Sequence, residues 1–263
     1  MKIALVSLDQ QWENKVANKQ KVAATLALIA ARCTGIDLVV YPEMTLTGFT
    51  MESERIKEAE GSSDTIAFFE EQAKKYGVNI AFGVVLAKGD KAGNCLAVVS
   101  GQGVLLTTYT KIHPFSYANE DAHYQAGNSL KKVNIGGATI GLTICYDLRF
   151  PELYQGYSKD CQVLLNIANW PERRVTHWKA LIKARAIENQ VFVVGVNRIG
   201  KDGNGLQYVA SSEIVSPYGE ELKGVSLSEE VAVYEIDLGE VAQYRKEFPV
   251  KNDRKITLYK DIL

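Results

Sequence analysis

Residues 2–8 (KIALVSL) alternate and run apolar, which predicts a first β-strand. Residues 13–33 change to a helical period, with Val22, Leu26, Ile29 and Cys33 on one face. IDLVVYPE (36–43) predicts a second buried strand, stopped by Pro42. Residues 64–76 predict a helix that ends at Gly77. Residues 79–111 alternate apolar runs with Gly-containing turns, the pattern of a β-meander. Segment 112–128 (IHPFSYANEDAHYQAGN) breaks every period; a loop this long, aromatic and charged is expected to be functional. Beyond it, KKVNIGG and ATIGLTIC read as strands, a short helix starts near Pro151, and CQVLLNIANW (161–170) is a further buried strand. A helix over 176–190, the strand VFVVGVNRIG and a Gly/Asn turn at 201–205 follow. Strands near 207–215 and 231–237 precede a helical tail from Gly239. Helices thus alternate with buried strands, and no linker, repeat or low-complexity segment divides residues 1–263. The expectation is one α/β domain layered α, β, β, α.

Composition narrows the function classes. With 263 residues and 46% hydrophobic content the chain can bury a large core. Lys plus Arg (30) nearly balances Asp plus Glu (31), with no basic block, so no nucleic acid partner is expected. Asp9, Gln10 and Gln11 end the first apolar run too early for a signal peptide, and no apolar stretch reaches the roughly 18 residues of a membrane helix. A cytoplasmic location without membrane partners is the expectation. Cys33, Cys95, Cys145 and Cys161 form no C-x-x-C pair, and His113, His123 and His177 are scattered, so neither a metal site nor disulfides are expected. Cys33, Cys95 and Cys161 fall on apolar faces and read as core, and the three histidines read as structural.

There is no Walker-type phosphate loop, no G-x-S-x-G, no H-E-x-x-H and no dinucleotide fingerprint. No cofactor is implied, and any chemistry has to come from side chains. Three strand ends supply it. Cys145 closes an apolar strand where a polar turn begins, a place where ligands commonly bind in α/β sheets. It is a small core residue or a nucleophile whose pKa the following turn would lower. Glu43, in YPEMTLTGF, is a cap or surface charge unless a nucleophile beside it needs a base. Lys111, in YTKIHPF, is a solvated lysine unless it faces a developing oxyanion. Together a carboxylate, an ammonium and a thiol make a coherent catalytic set that requires no histidine.

YPEMTLTGF, YTKIHPF and GLTICYDLRFPELY, in this order and separation, resemble the three signature segments of the nitrilase superfamily of carbon–nitrogen hydrolases. The resemblance spans nearly the whole chain and implies an αββα sandwich with a Glu43–Lys111–Cys145 triad. It also implies a second glutamate between lysine and cysteine, best matched by Glu120, with Asp121 the neighbouring alternative. HYQAGN, NIANWPERRVTHWKALIKARAIENQ and NRIGKDGNG resemble the ω-amidase-like branch. That branch implies hydrolysis of small ω-amido acids through a thioester, with Lys111 and the Tyr146 N–H as oxyanion donors. The rival readings are another amidase of the family, acting on N-carbamoyl amino acids or deaminated glutathione, and a catalytically idle scaffold. Candidate substrate-binding residues are Phe49, Phe115, Tyr117, Arg149, Asn169, Trp170 and Arg173, with Arg174 beside the last. Arg149 has two readings: a clamp for the substrate carboxylate, or a brace of its turn through Asp147 or Glu152. Arg185, Glu188 and Asn189 are expected to hold their helix in place. A homodimer is what the family resemblance implies.

Overall fold

The computed structural model describes residues 1–262. In chain order the elements begin β1 (Lys2–Val6), α1 (Lys15–Arg32), β2 (Leu38–Val40), α2 (Ser53–Ile56), α3 (Asp64–Tyr76), β3 (Asn79–Lys88), β4 (Lys91–Val99) and β5 (Leu105–Thr110). The middle of the chain adds α4 (Glu120–His123), β6 (Lys132–Ile135), β7 (Ala138–Ile144), α5 (Pro151–Tyr157), β8 (Val163–Ala168), α6 (Val175–Asn189) and β9 (Phe192–Asn197). The last third holds β10 (Gly200–Lys201), β11 (Gln207–Tyr208), β12 (Glu213–Val215), β13 (Val225–Ser226), β14 (Val231–Glu235), α7 (Gly239–Glu247) and α8 (Ile256–Ile262).

Two sheets form the interior. One has seven strands in the order β13-β14-β1-β2-β3-β4-β5, the other five in the order β12-β9-β8-β7-β6. β1, β2 and β3 run parallel, as do β7, β8 and β9, while antiparallel strands complete each sheet. The alternation of side chains along a strand sorts the apolar residues into three layers. Ile3 and Leu5 point between the sheets, where they meet Leu142, Ile144, Leu165 and Val194. Ala4 and Val6 point outward and pack with Val22 and Leu26 of α1 and Phe69 of α3. On the far side Leu164 and Val193 pack against Tyr154 of α5 and Trp178 and Ile182 of α6. The result is the four-layer αββα sandwich. Strands covered on both faces explain why they read as continuous apolar runs.

Local signals set several boundaries. The Ser63 hydroxyl accepts the Ile66 N–H at the start of α3, and Gly77 ends that helix at φ +63°. Elsewhere tertiary pairing overrides the pattern. The segment expected as one strand over 207–215 divides: β11 pairs with β10 in a small hairpin, and β12 joins β9 of the five-stranded sheet. Segment 112–128 contains a 3-10 turn (Ser116–Ala118) and α4, and α2 has no counterpart in the sequence reading. Among the described residues no helix is long and apolar enough to cross a membrane.

Candidate active site

The three strand ends converge. β5 lies two antiparallel steps from β3 and therefore runs in the same direction as β2, so both lead to the same edge of the seven-stranded sheet. Glu43 follows β2 and Lys111 follows β5. Cys145 follows β7 of the other sheet, and Asn169 and Trp170 follow the adjacent β8.

Glu43 is fully buried. Its Oε1 accepts from Lys111 Nζ (3.2 Å) and Asn94 Nδ2 (2.7 Å), and its Oε2 accepts the Asn169 N–H (2.8 Å). Its carbonyl is held by the side-chain amides of Gln10 (3.0 Å) and Asn169 (2.7 Å). The next residue, Met44, sits at φ +46°, in the left-handed region that costs a non-glycine residue of the order of 1–3 kcal/mol. Gly83 on β3 lets this turn approach: a Cβ there would lie 2.1 Å from Met44 N.

Lys111 is buried rather than solvated. Its ammonium donates to Glu120 Oε2 (2.8 Å) and Oε1 (3.1 Å) as well as to Glu43, and it lies 5.3 Å from the centre of the Phe49 ring. Burial pulls its pKa down, but Glu120 and Glu43 outweigh that and hold it above the ordinary lysine value. Burial pushes the Glu120 carboxyl up, with Glu43 adding to the effect and Lys111 opposing it. Glu120 accepts the Phe115 N–H and follows Asn119 at φ +61°. Asp121 is exposed, and of the two acidic neighbours Glu120 is the one that bonds the lysine.

Cys145 opens a 3-10 turn (Cys145–Arg149) at φ +45°. The turn is anchored by Asp147, which accepts from Ile144 N–H (3.0 Å), Tyr109 O–H (2.7 Å) and His113 N–H (3.0 Å) and bonds the His113 ring (2.8 Å). Tyr109 and His113 flank Lys111, so Asp147 ties the cysteine turn to the lysine segment across the two sheets. The expected lowering of the thiol pKa is overturned. Burial, then the charge of Glu43, push it well above the ordinary thiol value, with Lys111 pulling the other way. Burial and the Glu43 charge both favour the thiol over the thiolate.

All seven expected substrate-binding residues line one pocket with Lys111 and Cys145. Phe49, Phe115 and Trp170 form apolar walls, and Tyr117 is exposed at the rim. Asn169 has a second task that its sequence does not reveal, since it also clamps Glu43. Arg149 braces its turn through neither expected partner: Asp147 is engaged elsewhere, and among the described residues Glu152 forms no ion pair with it. Arg149 instead lies over the Trp170 ring (4.8 Å from its centre) and contacts His177 (3.4 Å). Arg174, over the Phe115 ring at 5.4 Å, joins Arg149 and Arg173 on the pocket wall. Burial and the neighbouring charges of Arg173 and Arg149 depress its pKa. Among the described residues none of the three pairs with a carboxylate. Arg185 donates to the Leu148 carbonyl (3.0 Å) and so holds α6 against the cysteine turn. Cys95 and Cys161 lie in the core, whereas Cys33 caps the end of α1 half-buried.

The sequence reading missed Asn94, Gln10, Leu206 and Tyr208, and it gave Asp147 only as a brace for Arg149. Asn94 alone left a signal, as a polar residue inside an apolar strand where Asn is disfavoured. Leu206 and Tyr208 reach the pocket through the β10–β11 hairpin, whose placement no local pattern encodes.

A family model described as carbon–nitrogen hydrolase matches residues 2–246. The chain is 35% identical to the ω-amidase YafV of Escherichia coli K12 over 96% of each protein. It is 33% identical to a 2-oxoglutaramate amidase of Bacillus subtilis, over 85% of this chain and 86% of that one. Among solved structures, XC1258 of Xanthomonas campestris, described as a CN-hydrolase superfamily protein with an arsenic adduct in its active site, matches at TM-score 0.89. It is 32% identical over 97% of both chains.

Proposed function

The chain belongs to the carbon–nitrogen hydrolase family, and on that footing we propose that it removes the terminal amide of small ω-amido acids such as α-ketoglutaramate and succinamate. It is a hydrolase acting on amides. The observation that carries the finer reading is the charge of the pocket wall. Arg149, Arg173 and Arg174 face the space that contains Cys145, and no acidic side chain lines it. A guanidinium without a partner matches a substrate carboxylate in bidentate fashion. Arg149 is the favoured clamp, because it lies in the turn that Cys145 opens and sits over the Trp170 ring at 4.8 Å from its centre. The names of the bacterial relatives point the same way.

In this reading Glu43 takes the thiol proton as Cys145 Sγ attacks the amide carbon. The raised thiol pKa makes that base necessary. The tetrahedral oxyanion is held by Lys111 Nζ and by the N–H of Tyr146, which lies in the first turn of the 3-10 segment where N–H groups lack helical partners. Glu43 returns the proton to the nitrogen, the C–N bond breaks, and ammonia leaves a thioester on Cys145. Glu43 then deprotonates water, which attacks the thioester; the acid departs and the thiol is restored. Glu120 orients Lys111 and balances its charge. The residues 1–263 work as one domain, and the protein as a cytoplasmic homodimer.

The test is ammonia release from succinamate, α-ketoglutaramate, propionamide and an N-carbamoyl amino acid by the parent and Cys145→Ala proteins. The ω-amides are expected to be preferred, with Cys145→Ala inactive. Equal turnover of propionamide, or persistent activity without the thiol, would contradict the reading.

A further inference from the structure

We propose that Asn94 is a positioning residue for the reaction: its side-chain amide closes a ring with Lys111, Glu43 and Glu120 that leaves Glu43 Oε2 as the oxygen free to take the Cys145 proton. This rests on the reading of Glu43 as the base. Asn94 sits in β4, buried, and its carbonyl accepts the Lys111 N–H at 2.9 Å, so the strand pairing places it beside the lysine. An amide NH2 has two hydrogens, and both are used, at 2.7 Å to Glu43 Oε1 and 2.9 Å to Glu120 Oε1. Lys111 Nζ reaches the same two oxygens, at 3.2 and 3.1 Å. Each Oε1 therefore has two donors, one for each lone pair. Glu43 Oε2 accepts only the Asn169 N–H and keeps one lone pair.

The amide orientation follows from charge. Turned over, Oδ1 would face two carboxylate oxygens, acceptor against acceptor. In the orientation found, Oδ1 is buried without a partner. A buried acceptor without a partner is destabilising, so stability alone does not explain this residue. The charged and titratable groups around it are Glu43, Lys111, Glu120 and Cys145, with Tyr124 beyond, its hydroxyl committed to the Thr50 carbonyl (2.6 Å). Removing the two amide donors withdraws support from two adjacent buried carboxylates. They then favour sharing a proton, so the pair gives up its second negative charge at a higher pH than before.

Asn94→Leu tests this, with the pH dependence of kcat/KM on succinamate and, independently of substrate, the pH dependence of Cys145 alkylation by iodoacetamide. Both acid limbs are expected to move up by about one pH unit or more, the equivalent of one charge-assisted hydrogen bond. Thermal melting is followed alongside. Should Asn94→Leu not fold, Asn94→Ser keeps one donor and is expected to give a smaller shift in the same direction. A fall in rate with both acid limbs unmoved would mean a merely structural role and would overturn the inference. An alkylation limb that shifts in a protein inactive on every ω-amide would leave the inference standing and refute the proposed substrate class instead.

Discussion

Replacing Lys111 by Met removes the cation that two buried carboxylates share and keeps most of its volume. Glu43 and Glu120 are both at 0% exposure, and Lys111 Nζ donates to three of their four oxygens. Removing one partner of a buried ion pair costs about 3–5 kcal/mol, because the remaining charge has neither water nor counter-ion. In a protein of this size about 1 kcal/mol corresponds to roughly 2–4 °C, so Tm is expected to fall by roughly 6–20 °C at pH 8. The pH dependence carries a sign. The Glu120 pKa is raised in the folded protein, by burial first, and the loss of Lys111 raises it further. A raised carboxyl is penalised when ionised and relieved when protonated, so its penalty shrinks as pH falls. The Tm gap between parent and Lys111→Met is therefore expected to be smaller at pH 5 than at pH 8. Adding Glu120→Gln should recover part of the loss at pH 8. Differential scanning calorimetry at both pH values is sufficient. A gap under about 2 °C at pH 8, or one that widens toward acid, would refute the charge accounting. Activity should fall at least as far as the ~10²–10³ typical of a lost oxyanion donor.

Two further outcomes follow from single groups. Arg149→Met should lower kcat/KM for succinamate by about 10–100-fold, mainly through KM, and leave a neutral amide unaffected; steady-state kinetics on the two substrates decides it. Glu213, at the start of β12, has its pKa raised to about 7 by burial and by Glu221. Its folded value lies above its unfolded one, so stability is lost as pH rises from about 4.5 to about 7. Glu213→Gln should therefore stabilise the protein at pH 8 by about 1–2 kcal/mol and leave it unchanged at pH 4, measured by urea unfolding. The value is set below that of the full shift because Glu213 borders an open hollow, where solvent screens its charge.

The apolar runs of β1, β7, β8 and β9 were legible because these strands are covered on both faces and carry that fact in composition. Glu43, Lys111 and Cys145 each stand at a strand end, which a chain records locally, but that left each with a bland reading; the resemblance to three signature segments singled them out. Segment 207–215 was not legible, since its division depends on which sheet each half finds to pair with. The sequence by itself determined the layers, the strand ends and the chemical types available at them. Only the tertiary structure decided their relations: that Asn94 meets Lys111 through strand register, that Asn169 clamps a glutamate 126 positions away, that Asp147 ignores Arg149 in favour of Tyr109 and His113, and that the thiol pKa rises instead of falling. Hydrogen-bond partners and local dielectric arise from through-space proximity. They exist only once two sheets have stacked, and no window along the chain contains them.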